Sequence, residues 1–277
     1  MQLGAIFLDQ VVFNVELPTA DAEVIPGVPW GAVEAFPSPA YWAYQVYARR
    51  LTGDRINYKL GATLKEEVGA CLLGGHGIPA SVGLAAFRHV KELGAFDDEA
   101  PSEEILLQWL KEPLTIDGRQ VRYRFAKQKA RYLSAALQKL SAERAPLGSG
   151  RALRDWLLDV PGIGYKTASW VARNWLDADD VAILDIHILR AGLLGKFFDS
   201  HLTVERHYLE LEEQFIRFSR GLGVRASELD ALMWLEMMAS PSTVHSIMGM
   251  GHHAPSPSSR GRTKKSKANS GQLSLIT

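Results

Sequence analysis

Along most of the chain, apolar residues recur every three or four positions, the spacing of one buried face of a helix. Ala126, Ala130, Leu133, Leu137 and Leu140 step by four, three, four and three. Leu153, Trp156, Leu157 and Val160 form a second stripe, and Ala168, Val171, Ala172 and Trp175 a third. Leu211, Phe215, Phe218 and Leu222 form a fourth. From Leu229 to Met238 apolar residues fall on most sides, which predicts a buried helix. Tyr44, Tyr47 and Leu51 predict one face of a helix starting near Ala40. Only the first 36 residues read differently. Phe13, Val15 and Leu17 alternate with polar neighbours, as in a short strand, and Pro18, Pro26, Pro29 and Pro37 break the next stretch into loop. No strongly alternating strand appears after residue 36. The pattern predicts an all-α core over residues 38–253, preceded by an irregular or β N-terminal extension over residues 1–37.

Composition narrows the class. The chain has 277 residues, enough for one large domain or two small lobes. Its single cysteine, Cys71, excludes a disulfide framework and an all-cysteine iron–sulfur cluster, and is consistent with a reducing cytosol. No apolar run reaches the length of a membrane span, and the N-terminus lacks a secretory pattern. The expected location is therefore cytoplasmic, with no membrane partner. Residues 254–277 are rich in Pro, Ser, Gly and Lys and cannot bury enough apolar surface to order themselves. The basic residues of this tail are either solvated or loosely engaged with nucleic acid.

Net charge is zero, but its distribution is uneven. From Gly118 to Ala142 no acid occurs, while Arg119, Arg122, Arg124, Lys127, Lys129, Arg131 and Lys139 do. Such a run is either a solvated helix face or a surface for an anionic partner.

The most informative stretch is Leu157-Leu158-Asp159-Val160-Pro161-Gly162-Ile163-Gly164-Tyr165-Lys166-Thr167-Ala168-Ser169. One helix is predicted to end at Val160 and another to start near Lys166, with a tight turn between. Gly162 and Gly164 let the backbone bend and approach another molecule closely. Their amides, at the start of a helix, suit a phosphate. Small Ala168 lets the two helices sit close. Nineteen residues after Lys166, Val181-Ala182-Ile183-Leu184 runs into Asp185, followed by Ile186-His187-Ile188-Leu189-Arg190. Alone, the turn is an ordinary glycine corner, Lys166 a solvated lysine and Asp185 an N-cap. Their joint spacing is more specific.

With Pro161 to Ala168, Asp185-Ile186-His187 and Arg190, the chain resembles the helix-hairpin-helix DNA glycosylases. Within that superfamily the wording is most similar to the compact 8-oxoguanine glycosylases of archaea and some bacteria. The resemblance covers residues 38–240 and implies two helical lobes with a DNA-binding cleft. One lobe spans 64–178, and the other combines 38–63 with 179–250.

In that family the lysine of this pattern marks members with both glycosylase and lyase activity. The resemblance thus makes Lys166 the nucleophile and Asp185 its carboxylate partner, acting on damaged double-stranded DNA near the nucleoid. It makes Gly162, Gly164, Arg124, Lys127 and Lys129 phosphate contacts, and a monomer is expected. The target base must be flipped out of the duplex before attack. Lys166 then expels it from C1′, and the resulting Schiff base permits β-elimination and strand cleavage. Asp185 either takes the lysine proton or stabilises charge on the sugar.

His76 sits where relatives carry a residue that fills the gap left by the flipped base. The alternative is a glycine-rich corner with a solvent-facing histidine. Trp234 is either a wall of the base pocket or core, as are Met233, Met237 and Met238. His187 and Arg190 are packing or phosphate contacts. No metal and no cofactor are implied. Two other readings keep the residues and change the outcome: a glycosylase for another damaged or modified base, and a non-catalytic hairpin protein that only binds DNA.

Overall fold

A computed structural model describes residues 1–53, 58–75 and 77–249. His76 and the tail over residues 254–277 lie outside the described residues. In chain order the strands β1 (Gln2–Leu8), β2 (Val11–Leu17), β3 (Glu23–Ile25) and β4 (Val28–Pro29) lead into α1 (Pro39–Thr52). The helices α2 (Leu64–Leu73), α3 (Ala80–Glu92) and α4 (Glu103–Lys111) come next, then strands β5 (Leu114–Ile116) and β6 (Arg119–Val121). The remainder is helical: α5 (Ala126–Ala142), α6 (Gly150–Leu157), α7 (Tyr165–Leu176), α8 (Ile186–Leu194), α9 (Tyr208–Gly221), α10 (Ala226–Ala239) and α11 (Pro241–Ile247). The protein is mostly helical, with three two-stranded antiparallel sheets among the described residues.

The described chain divides into two compact units: residues 1–53 with 184–249, and residues 58–183. In the first unit, β1 and β2 form a hairpin with Gln2 opposite Leu17 and Leu8 opposite Val11. The hairpin is fastened to α1 by the Tyr44 hydroxyl, which donates to the carbonyl of Ala5 at 2.6 Å. The expected helix from Ala40 is present, but it buries a different face. Pro39, Ala40, Trp42, Ala43 and Val46 are buried, whereas Leu51 is exposed and Tyr44 and Tyr47 are half-buried. Trp42, flanked by small residues, carries the core-facing side, and the tyrosines keep their hydroxyls on backbone carbonyls. The core of this unit is aromatic. Phe197 stacks on Phe218 with ring centroids 3.8 Å apart and packs edge-on to Phe215. Phe218 and Phe215 belong to the apolar stripe read for α9, all of which is buried.

The second unit is organised around α2, whose residues from Glu66 to Leu73 are all buried. Thr63 caps this helix, its hydroxyl accepting from the Glu66 amide, while Glu66 accepts from the Ala62 amide at 2.7 Å. Helices α3, α5 and α7 pack around α2, and α4 covers α5. The β5–β6 hairpin corrects the expectation of no strand after residue 36. Its strands are too short to show alternation. The turn Asp117-Gly118 has φ of +49° and +73°, the left-handed pair that a two-residue hairpin loop requires.

Glu67 is fully buried at the centre of this unit. One carboxylate oxygen accepts from the amides of Leu60 and Gly61, at 2.7 and 2.9 Å, and the other from the Asn174 side chain at 2.7 Å. It thereby ties the entry to α2 to the last turns of α7. A buried donor left without its acceptor costs about 1–3 kcal/mol. Glu67→Ala strands the buried Asn174 donor and leaves the half-buried Leu60 and Gly61 amides without their acceptor, so an unfolding free energy lower by about 1–3 kcal/mol is expected in urea titration. Cys71 lies against the same carboxylate, and burial pushes its thiol well above the usual range, an inert thiol inside the core.

Candidate active site and hairpin

Helix α6 begins with two caps. The Ser149 hydroxyl accepts from the Ala152 amide, and the Asp180 carboxylate from the amides of Gly150 and Arg151, both at 3.1 Å. The helix ends at Leu157, one turn earlier than the expected Val160, and the chain folds over through hydrogen bonds from Val160 to Leu157 and from Ile163 to Val160. Helix α7 starts at Tyr165, and Ala168 is completely buried where α6 and α7 pack. The two helices and their turn form the helix-hairpin-helix.

The two glycines of the turn differ in kind. Gly162 has φ of +83°, and a Cβ built there would lie 2.0 Å from the Tyr132 ring. Both backbone and space therefore demand glycine. Gly164 has φ of −100° and open space around its Cβ position. Gly162→Ala should lower stability by at least about 2 kcal/mol, from left-handed strain plus overpacking. Gly164→Ala should stay within about 0.5 kcal/mol of the parent. Urea unfolding of the pair checks both. The two glycines are exposed, and neither amide donates a hydrogen bond among the described residues. These donors stand outward at the start of α7, where an anion is favoured.

Lys166 is the second residue of α7 and is half-buried. Cations are disfavoured in the first turn of a helix, so Lys166 does not owe its place to helix stability. Asp185 is half-buried as the N-cap of α8. Its Oδ1 accepts from the amides of His187 at 2.8 Å and Ile188 at 3.2 Å, which fixes the carboxylate's direction. The segment before it is fixed by burial of Val181, Ala182 and Leu184, and the Leu184 amide donates to the Tyr208 hydroxyl at 3.1 Å. The cap and the candidate chemistry therefore coexist in one side chain.

The cations of the basic segment separate into two groups. Lys129, expected on phosphate, instead donates to the carbonyls of Leu72 at 2.6 Å and Gly74 at 3.3 Å, closing the end of α2. Burial lowers the pKa of its ammonium. Lys139 is paired with Glu143 and Asp159 at 2.9 and 3.2 Å and lies over the Trp156 ring. Arg124 and Lys127 are exposed. In α10, Met233 and Met237 are buried core, and Trp234 and Met238 are half-buried. The sequence pattern does not reveal the buried residues Glu67, Arg173 and Asn174 behind the hairpin, because their polar side chains interrupt apolar stripes without declaring a partner.

A hairpin with outward amides, a lysine in its second helix and an oriented carboxylate at a later helix start define a helix-hairpin-helix protein of the glycosylase type. The Ogg-HhH family model, described as 8-oxoguanine DNA glycosylase, matches residues 65–224, and the chain belongs to that family. It is 33% identical over 123 residues to an 8-oxoguanine DNA glycosylase/AP lyase of Saccharolobus islandicus, covering 41% of this chain and 58% of that protein. The protein of the same name from Methanocaldococcus jannaschii is 32% identical over 117 residues, covering 40% of this chain and 56% of it. The matches thus span less than two thirds of the length of these relatives. The crystal structure of the 8-oxoguanine DNA glycosylase of Thermotoga maritima shares the fold, with a TM-score of 0.51 at 22% identity, over 71% of this chain and 95% of that one.

Proposed function

We propose that this protein excises 8-oxoguanine from duplex DNA and then cleaves the strand at the abasic sugar. The observation that carries the reading is that the family match runs through both Lys166 and Asp185, each placed by the backbone at the start of a helix. The names of the relatives, 8-oxoguanine DNA glycosylase/AP lyase, supply the substrate and both steps.

In this reading the duplex is held by its phosphates at the Gly162 and Gly164 amides, with Arg124 and Lys127 adding charge. The damaged base rotates out of the stack. The Lys166 amine attacks C1′, the bond from C1′ to the base breaks, and the electron pair leaves with the base, which takes up a proton. Asp185 either accepts the proton released by the lysine nitrogen or stabilises positive charge growing on the sugar. Opening of the sugar ring gives an imine between C1′ and Nζ. Loss of a C2′ proton then expels the 3′ phosphate, and water releases the lysine. Trp234, half-buried on α10, is the candidate wall for the base. The enzyme acts as a monomer at the nucleoid. No described helix is long and apolar enough to cross a membrane.

The test is release of free base from a duplex carrying one 8-oxoguanine opposite cytosine, measured by mass spectrometry against undamaged duplex and other lesions. Release from the 8-oxoguanine duplex alone is expected. Release only from another lesion would retain the chemistry and overturn the substrate. No release from any lesion would favour a protein that only binds DNA.

A further inference from the structure

A cation beside the hairpin's amides would strengthen their hold on a phosphodiester, and Lys129 and Lys139, two lysines of α5, are engaged elsewhere. Arg131 is not. It is exposed, and among the described residues no carboxylate pairs with it. Its guanidinium lies 5.2 Å from the centre of the Tyr132 ring. That ring is the one packed directly on Gly162 of the turn. Its hydroxyl is held in turn by the Gln128 side chain at 2.9 Å. One aromatic ring therefore separates the arginine from the hairpin, and the stacking limits where the guanidinium can go. Lys127 lies four residues earlier, on the same face of α5.

We propose that Arg131 is a phosphate ligand at the hairpin, and that Tyr132 is the positioning residue that carries it. This rests on the reading of the protein as a duplex DNA enzyme. The ligand is a phosphodiester of the duplex backbone, met by the glycine amides on one side and a planar, fork-shaped cation on the other. Tyr132 has a double function in this arrangement. It fills the space that a side chain at position 162 would need, and it supports the guanidinium.

The test is the salt dependence of binding to a duplex with a tetrahydrofuran abasic analogue, followed by fluorescence anisotropy from about 50 to 200 mM salt. Each lost phosphate contact removes about 0.9 from the slope of log affinity against log salt. Arg131→Gln is expected to flatten the slope by about that amount, with an unchanged melting temperature. Arg131→Lys should restore most of it, since the charge remains. Tyr132→Phe should keep the slope, and Tyr132→Ala should flatten it like Arg131→Gln. A wild-type slope in Arg131→Gln overturns the ligand assignment. A wild-type slope in Tyr132→Ala overturns the positioning role. These outcomes are separate from failure of the parent reading. If Arg131→Gln flattens the slope but the wild-type protein releases no base, the phosphate site stands and the enzyme is refuted. A wild-type protein with no salt-dependent duplex binding would refute both.

Discussion

Lys166→Gln should abolish base release and strand cleavage together, by at least about 10³-fold in single-turnover rate, because the glutamine amide is not a nucleophile. The substitution is close in length, removes a charge that a helix start disfavours, and touches a half-buried position. Folding and duplex binding should therefore survive, and a denaturant titration next to the rate separates chemistry from structure. Retained excision with lost cleavage would mean that water, not Lys166, displaces the base, and the lysine would keep only the lyase step.

The second large effect concerns Asp185, where the helix cap and the proposed chemistry fall on one side chain. Asparagine caps a helix as well as aspartate does. Asp185→Asn should then keep the two hydrogen bonds from His187 and Ile188 and hold stability within a few tenths of a kcal/mol. It nevertheless loses the carboxylate's proton affinity and charge, so the excision rate should fall by about 10²–10⁴-fold. Asp185→Ala should lose the same activity and about 1 kcal/mol of stability besides. A drop in stability equal in both variants would mean that the carboxylate's charge, and not its two capping bonds, stabilises this helix start. Full activity in Asp185→Asn would exclude the carboxylate from the reaction.

Much of the fold is legible in the sequence, and the exceptions have physical causes. The stripes of α5, α6, α7 and α9 face the core, with Leu140, Trp156 and Trp175 only half-buried, because an apolar residue recurring at each turn leaves few alternatives. The buried face of α1 is hard to read because a tyrosine pair with a polar tip looks as apolar in a periodicity count as the face of Trp42 and Val46 that is actually buried. The β5–β6 hairpin is hidden because three-residue strands carry no period, although Asp117-Gly118 is a readable turn signal.

Charge tells less than it promises. Lys129 reads as a phosphate ligand until its partners, the carbonyls at the end of α2, are placed 57 and 55 residues away in sequence. Arg131 has no mark of distinction within the same run, since only packing of Tyr132 against Gly162 sets it beside the turn. Lys166 and Asp185 stand out for the opposite reason: their identity and spacing carry the family resemblance, independent of packing.

The role of Lys166 is decided by borohydride trapping on a labelled duplex carrying one 8-oxoguanine opposite cytosine, with the adduct mapped by peptide mass spectrometry. A covalent adduct on Lys166, formed with the damaged duplex and absent with undamaged duplex, is the predicted result. An adduct mapped to another lysine, or none on either the 8-oxoguanine duplex or an abasic duplex, would rule out Lys166 as the nucleophile.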